Sequence, residues 1–192
     1  MKKISITVLL FITTAAAFAQ TTLKADPYHS KLGFTITHLG ITDITGFFDK
    51  FETSITATKS DFSDAVVTMT ADVNSINTAV APRDNHLKSA DFFDVAKYPT
   101  MTFKSTSVKK SGSNTFKLTG DLTLHGITKP VVLDVTYRGS AKNPAANNAE
   151  VAGIQLRGVI RRSDFGIGTK FPAPMLSDEV TIKADGEFAP SK

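Results

Sequence analysis

Four histidines are the first side chains in the sequence that could carry out chemistry: His29, His38, His86 and His125. They form no HxH or HExxH pattern, and the sequence contains no cysteine, so the usual ligand spacings of a zinc site are missing. If a strand ran straight from 29 to 38, the odd separation would place His29 and His38 on opposite faces. We therefore expect no preformed metal site and no resident cofactor.

Motifs of nucleophilic catalysis are also missing. His29 and Ser30 are adjacent, and neighbours in a strand face opposite ways, so they do not form a base and nucleophile couple. The sequence has no GxSxG elbow, no P-loop and no dinucleotide-binding fingerprint. These absences favour a binding protein over an enzyme, with an active site that lacks a recognisable motif as the alternative.

Arg162 is the charge of greatest interest. It has the parity of Leu156 and Ile160, so it points inward if its strand stays regular that far. An inward arginine at a strand end can receive an anionic or carbonyl head group. It can also form a structural ion pair, because a buried charge needs a partner. The sequence favours the ion pair, and the candidate partners are Asp164, Asp84 and Asp91.

The N-terminal stretch MKKISITVLLFITTAAAFAQ has the pattern of a secretory signal peptide. Lys2 and Lys3 form a basic start, an apolar run follows, and Ala17–Ala19 offers a small-x-small cleavage site. The run is shorter than the roughly 20 apolar residues of a membrane anchor. We predict a signal peptide over residues 1–19 and a single domain over residues 20–192.

The charge pattern gives no indication of a nucleic acid partner. The chain has 22 Lys and Arg against 18 Asp and Glu, and Lys2 and Lys3 would leave with the signal peptide. The remaining charges are mixed along the chain with no basic run, so we expect no nucleic acid binding. An exported domain without cysteine must rest on an ordinary hydrophobic core.

Eight segments alternate apolar and polar residues with the period of two that is typical of half-buried strands. In one of them, 115–125, Phe116 and Leu118 oppose Lys117 and Thr119. Such strands suit an antiparallel sheet, and closure of the sheet removes its exposed edges. We predict an all-β, eight-stranded antiparallel barrel. Its strands are 30–38, 46–58, 65–76, 100–109, 115–125, 131–138, 150–162 and 179–188.

The apolar faces are predicted to line the interior of this barrel. An outer-membrane barrel would turn them outward, but its aromatic girdles are missing, because the chain has no Trp and three Tyr. Eight strands leave room either for packed side chains or for one ligand, and the pattern leaves both open. The predicted lumen residues are Phe34, Ile36, Phe47, Phe51, Val73, Phe103, Leu122 and Ile160.

Two predicted connections, 77–99 and 163–178, are long, and long ordered loops in compact domains are usually functional. In the first, Pro82 suits an initial helical turn and Asp84 lies near the positive helix end. We therefore predict a short helical cap in the loop between strands 3 and 4. For Arg83 and Asp84, helix capping and a surface ion pair are favoured over ligand contact.

Phe92 and Phe93 are adjacent, so they cannot both point inward from one strand. Each is too large to leave in water cheaply, at roughly 1.5–3 kcal/mol. The nearest apolar surface is the end of the barrel. Phe92, Phe93 and Phe165 are predicted to close this mouth, with Arg162 beside them as a further candidate ligand contact.

Five motifs occur in an order that spans most of the predicted domain. They are YHSKLGFTITH at 28–38, GFFDKFE at 46–52, RDNHLKSADFFDVAKYPTMTF at 83–103, LTGDLTLHGITKPV at 118–131 and RRSDFGIG at 161–168. Together they resemble the YceI family of exported polyisoprenoid-binding proteins. Any one of these motifs alone would not be specific.

The resemblance implies a lipocalin-like barrel whose lumen holds a long isoprenoid or another amphiphilic lipid. It also implies a periplasmic location and, in some members, a homodimer, and it carries over no catalytic residues. We therefore expect a periplasmic protein that binds or carries a hydrophobic lipid. The alternatives are an enzyme acting on an isoprenoid-type lipid and a stress-response structural protein with a filled core.

Overall fold

The computed structural model describes residues 20–59 and 62–191. The predicted signal peptide, residues 1–19, lies outside the described residues. Within them the chain forms eleven strands, three 3₁₀ turns (Val73–Ser75, Pro144–Ala146 and Arg162–Phe165) and one helix, α1 (Ala81–Lys88). The strands are β1 (Thr21–Ala25), β2 (Lys31–His38), β3 (Thr42–Phe48), β4 (Phe51–Ala57), β5 (Val66–Asp72), β6 (Ile76–Asn77), β7 (Thr100–Lys110), β8 (Thr115–Leu124), β9 (Ile127–Asn143), β10 (Ala149–Arg161) and β11 (Leu176–Pro190).

Eight of the strands close an antiparallel barrel, as the sequence predicts. Their order around the barrel is β1-β4-β5-β7-β8-β9-β10-β11, and β11 returns to β1. The closing register pairs Leu23 with Pro190 and Ala25 with Phe188. The earlier part of β11, up to Asp185, pairs instead with β2, which continues into β3 and β6. One edge of β11 is thus shared by two strands, and they meet near Gly186.

The apolar faces point into the barrel. Along β7, for example, Met101 and Phe103 are buried, while the alternate residues Thr102 and Lys104 are exposed. The same alternation runs along β8. A period of two in sequence therefore becomes one apolar inner wall and one polar outer wall.

Glycines on the wall let large inner side chains lie flat against it. The Phe34 ring covers Gly46 on the neighbouring strand, and the Phe103 ring covers Gly120 in the same way. A Cβ atom at Gly46 or Gly120 would overlap these rings. Because the rings lie against the backbone instead of projecting across the barrel, the middle of the barrel stays open.

The predicted strand 46–58 is wrong as a single element. The structure divides it into β3 and β4 at a corner formed by Asp49 and Lys50, whose amides donate to the carbonyl and hydroxyl of Ser75. The corner breaks the period of two, so Phe48 and Phe51 face inward and Phe47 faces outward. Phe47 was therefore assigned to the wrong face of the sheet.

The position predicted for the helix also requires correction. It was expected directly between strands 3 and 4, but α1 follows the short strand β6. The predicted third strand, 65–76, ends early because the Asp72 side chain accepts a hydrogen bond from the Asn74 amide and starts a 3₁₀ turn. β6 then pairs with β3 before the helix begins.

Candidate functional site

A cavity of about 990 Å³ runs through the barrel. This volume is at the upper end of the range of small-molecule sites, about 300–1,000 Å³. Its walls are predominantly apolar and come from all eight barrel strands, β2 and β3. Representative lining residues are Leu23, Val67, Leu118, Val135, Leu156 and Ile182.

Nine of the twelve predicted site residues line this cavity. Six of them lie on strands of the wall: Phe34, Ile36, Phe51, Phe103, Leu122 and Ile160. Phe92, Phe93 and Arg162 line it at the end beside α1. The structure therefore brings these residues together around one space, and their contact with a ligand stays a prediction.

Three predicted site residues do not line the cavity. Phe47 is 38% exposed on the outer face, with Lys31 Nζ 5.9 Å from its ring centroid. Val73 lies in the 3₁₀ turn after β5 and is buried in the core. Phe165 is buried in the turn after β10, where its carbonyl accepts a hydrogen bond from His125 Nδ1 at 2.9 Å. The turn at Val73 interrupts the strand parity on which its prediction depended, whereas Phe165, predicted to close the mouth, packs into the core beside His125.

A cap covers one end of the cavity and consists of residues 81–98 and 163–176. Phe92 stacks on Phe171 with ring centroids 4.9 Å apart, and His86 contacts both rings edge-on. Phe93 points differently and packs edge-on against Phe48 at 6.0 Å. The adjacent phenylalanines thus anchor the cap at two separate places.

Phe48 and Phe171 were not predicted from the sequence. Both line the cavity. If the turn at Asp49 and Lys50 had been recognised in the sequence, Phe48 would have been predicted to face inward. Phe171 carries the same signal as Phe92, a large aromatic side chain within a long connection.

Arg162 is 6% exposed, and all of its N–H groups are used within the protein. A guanidinium group has five N–H donors. They reach five backbone carbonyls: Ser177 from Nε at 2.9 Å, Ile167 and Gly168 from Nη1 at 2.9 and 2.6 Å, and Phe171 and Leu176 from Nη2 at 2.5 and 3.1 Å.

The ion pair suggested for Arg162 is therefore wrong: in the described part of the chain it pairs with none of Asp164, Asp84 and Asp91. Carbonyl dipoles of the 167–177 segment take the place of a counter-ion. A head group could accept a hydrogen bond from Arg162 only by displacing one of these carbonyls.

Arg83 is a second cation on the cavity wall. Its Nε donates to Thr78 Oγ1 at 2.7 Å and its Nη2 to the Thr78 carbonyl at 2.9 Å. Asp84 Oδ1 accepts hydrogen bonds from the amide and the hydroxyl of the same threonine. Arg83 and Asp84 thus fix the start of α1 through Thr78.

Comparison with known proteins agrees with this architecture. The YceI-like domain family matches residues 23–188. Protein YceI of Salmonella arizonae is 38% identical over 178 residues, which cover 93% of this chain and 92% of that protein. The chain belongs to the YceI family.

Solved structures of YceI-like fold superpose on this YceI-family chain. BcnA of Burkholderia cenocepacia gives a TM-score of 0.76 at 26% identity and covers 86% of this chain and 99% of its own. The YceI protein of Campylobacter jejuni gives 0.70 at 33% identity, covering 82% and 90%. A polyisoprenoid binding domain from Saccharophagus degradans, implicated in plant cell wall breakdown, gives 0.63 at 17% identity, covering 91% and 99%. At that identity the likeness concerns the fold alone.

Within the described residues of this YceI-family chain, no helix is long and apolar enough to cross a membrane.

Asp26, His29 and Glu187 form a cluster on the outer surface that the sequence pattern does not predict. Their ligand-type atoms lie within 4.8 Å of one another. A hydrogen bond to Asp26, at 3.0 Å, raises the pKa of His29, with the nearby charges of Asp26 and Glu187 adding to it. The same bond and the Tyr28 amide lower the pKa of Asp26. These contacts within the cluster account for its arrangement as an exposed ion-pair group.

Asp91 connects the two parts of the cap. Its carboxylate accepts hydrogen bonds from Lys170 Nζ at 2.5 Å and from His86 Nε2 at 3.5 Å. The Lys170 bond, followed by the His86 bond, lowers the pKa of Asp91. A carboxyl group with a lowered pKa stabilises the fold above its unfolded pKa of about 3.9, and this stabilisation is lost as the pH falls through the folded pKa.

We expect Asp91→Asn to lower the Tm by about 1–3 °C at pH 7, because the link is exposed to solvent. The difference from the wild type should shrink as the pH falls below about 4 and through the lowered folded pKa, because the wild-type carboxylate then also becomes protonated. Thermal melts at pH 7 and at successively lower pH values measure this, with the exposed Asp164→Asn as control. A Tm difference that does not change with pH would contradict the prediction.

Proposed function

We propose that this protein binds a long apolar or amphiphilic lipid in its barrel lumen. The ligand class that we propose is a polyisoprenoid, such as an isoprenoid quinone or a polyprenyl chain. The protein would carry or sequester this lipid in the periplasm. We propose binding rather than catalysis because the lumen presents a continuous apolar wall.

The observation that carries this proposal is the open apolar cavity of about 990 Å³. A structural protein with a filled core would not maintain such a space, because empty volume forfeits dispersion contacts and destabilises the fold. The Phe34 and Phe103 rings that lie flat on glycines show how the wall keeps it open. The lining of the cavity extends from Ser140 and Glu150, on β9 and β10, to Phe92 and Phe171 in the cap, so the cavity suits an extended chain better than a compact ligand.

Burial of hydrocarbon can supply the affinity for such a chain. A buried CH₂ group contributes about 0.8 kcal/mol, so one five-carbon isoprene unit contributes roughly 3–4 kcal/mol before ordering costs. A few units approach the practical limit of non-covalent affinity. Selection among lipids must then come from a small number of polar groups on the wall.

Two further points support the proposal. The neighbour from Saccharophagus degradans is described as a polyisoprenoid binding domain, and it has the same fold. The N-terminal stretch has the composition of a signal peptide, which would deliver the protein to the periplasm.

The direct test is extraction of the purified mature protein with organic solvent, followed by mass spectrometry of the extract. We expect a bound lipid with a long branched or unbranched hydrocarbon chain, recovered in near-stoichiometric amount. An extract without lipid, together with no uptake of added polyprenyl lipid, would refute the proposal.

The cap is expected to control release of the lipid. Replacing Phe92 and Phe93 together by alanine removes both of its aromatic anchors, so release to acceptor vesicles should accelerate by about tenfold or more. The variant should also lose stability, since each buried Phe→Ala change costs about 3–5 kcal/mol.

Ile76→Ala is the control for this variant. Ile76 is 3% exposed, lies outside the cap and does not line the cavity, so its truncation should lower stability without a comparable rise in the release rate. Equal acceleration in both variants would mean that release follows global stability and that the cap is not a gate.

A further inference from the structure

Ser30 has a buried hydroxyl for which the described residues provide no hydrogen-bond partner. Among the buried side-chain N and O atoms of residues 20–59 and 62–191, the Ser30 hydroxyl is the only one without a hydrogen-bond partner. Ser30 also lines the lumen. Buried polar groups in proteins are nearly always hydrogen-bonded, so an unpaired hydroxyl beside a cavity calls for a partner from within that cavity.

The backbone around Ser30 is shaped to accommodate this hydroxyl. Gly186 on β11 faces it, and a Cβ atom at Gly186 would lie 2.5 Å from Ser30 Oγ. Gly186 stands between Asp185, which pairs with Lys31 of β2, and Phe188, which pairs with Ala25 of β1. The hydroxyl therefore occupies the junction at which β11 changes partners.

A second unpaired hydroxyl lies on the wall near the same junction. Thr53 faces the lumen from β4, next to Ser54, which pairs with Lys24 near the end of β1. Within the described residues its side chain makes no hydrogen bond. The lumen hydroxyls of Ser140 and Thr78 are already engaged, because they donate to Glu150 Oε1 at 2.5 Å and to Asp84 Oδ1 at 2.6 Å.

We propose that Ser30 is the head-group contact of the lumen: the bound lipid places a hydroxyl or carbonyl oxygen against Ser30 Oγ, with Thr53 nearby. This inference rests on the proposed function and specifies its ligand as an amphiphile instead of a pure hydrocarbon. The polar end then lies at the β1–β2 junction and not beneath the cap.

The position of Ser30 also fixes the direction of the chain. On one side of Gly186, the lumen face of β11 continues through Phe188 to Pro190, where the strand ends. On the other side it continues through Ala184 and Ile182 to Val180, about 20 Å at the usual rise of a strand. The hydrocarbon chain therefore extends from the junction towards the cap.

The test compares phytol with phytene, which has the same branched chain without the hydroxyl. Each displaces the apolar fluorophore N-phenyl-1-naphthylamine from delipidated protein, and the ratio of their affinities is measured. The wild type should prefer phytol. Ser30→Ala should reduce this preference by about five- to tenfold and leave the phytene affinity within about twofold, whereas Ser30→Thr should retain it.

Two further variants extend the comparison of phytol and phytene affinities. Ser140→Ala removes a lumen hydroxyl that is already bonded and should leave the preference unchanged. Gly186→Ala should reduce it, because the added methyl group crowds Ser30 Oγ. Thermal melts confirm that each variant is folded.

The outcomes separate this inference from the proposed function. If both lipids bind and Ser30→Ala retains the wild-type preference, water satisfies the hydroxyl, and the inference falls while lipid binding stands. If neither lipid displaces the fluorophore, the proposed function falls and the inference falls with it. A preference lost equally in Ser30→Ala and Ser140→Ala would also overturn the role of Ser30.

Discussion

Arg162→Leu is expected to lower the free energy of unfolding by about 3–5 kcal/mol, because a leucine leaves five inward carbonyls without their common donor. For a domain of this size, that loss corresponds to a fall in Tm of roughly 6–20 °C. Urea or thermal unfolding of the purified variant measures it. The 163–178 segment should also become more sensitive to proteolysis.

Two other variants test whether the loss of stability comes from the five carbonyl contacts of Arg162. Arg161→Leu changes the exposed neighbour of the same residue type and should leave the Tm nearly unchanged. Arg162→Lys keeps the positive charge but offers three donors, so its stability should lie between those of the wild type and the leucine variant. A leucine variant as stable as Arg161→Leu would show that the carbonyls find other partners at little cost.

Ala184→Phe is expected to weaken lipid binding by about 100-fold or more with little loss of stability. Ala184 lies on the inner face of β11, between Leu156 of β10 and Leu32 of β2, and lines the cavity. A phenyl ring there occupies space that about one isoprene unit would use, roughly 3–4 kcal/mol of apolar burial. Open space receives the ring, so the usual cost of overpacking a dense core is avoided.

The matched control is Lys183→Phe, one residue earlier on the exposed outer face of the same strand. It should bind lipid as the wild type does. Fluorophore displacement and extraction followed by mass spectrometry measure both variants. Undiminished binding by Ala184→Phe would show that the lipid does not occupy the middle of the lumen.

Sequence periodicity predicts the regular parts of this fold well. The predicted strands 100–109, 115–125 and 150–162 agree within one residue with β7, β8 and β10. The alternation is uninterrupted from Phe116 to Leu124 in β8 and from Ala152 to Ile160 in β10, and in β7 it holds up to a bulge between Ser105 and Ser107. A half-buried sheet preserves such alternation. An antiparallel sheet with one apolar face follows from that pattern, and the inward direction of this face was inferred from the missing aromatic girdles of a membrane barrel.

The errors occur where a local backbone interaction interrupts the alternation. The corner at Asp49 and Lys50 reverses the parity of Phe47, one 3₁₀ turn removes Val73 from the inner wall, and another buries Phe165 in the core instead of at the mouth. β1 was missed because its five residues, TTLKA, contain one large apolar side chain. Such turns depend on hydrogen bonds between distant segments, so short-range patterns do not specify them.

In the candidate site, too, the sequence pattern predicts some features and not others. The inward direction of Arg162 was predictable because β10 stays regular up to Arg161. Its five partners were not, because every residue carries a backbone carbonyl and no residue type identifies the ones that converge. Ser30 was noticed only as a neighbour of His29, since its relation to Gly186 depends on strand pairing.

The attachment of the 167–177 carbonyls to one guanidinium has a consequence for the kinetics of ligand exchange. A loop held by independent contacts frays residue by residue, whereas this segment shares one anchor, and Phe171 couples it to Phe92 across the cap. We therefore expect this end to open in one cooperative local unfolding event. If the proposed lipid exchanges through it, exchange should have a single rate with a steep temperature dependence, and the residence time should shorten sharply on warming even where the affinity changes little.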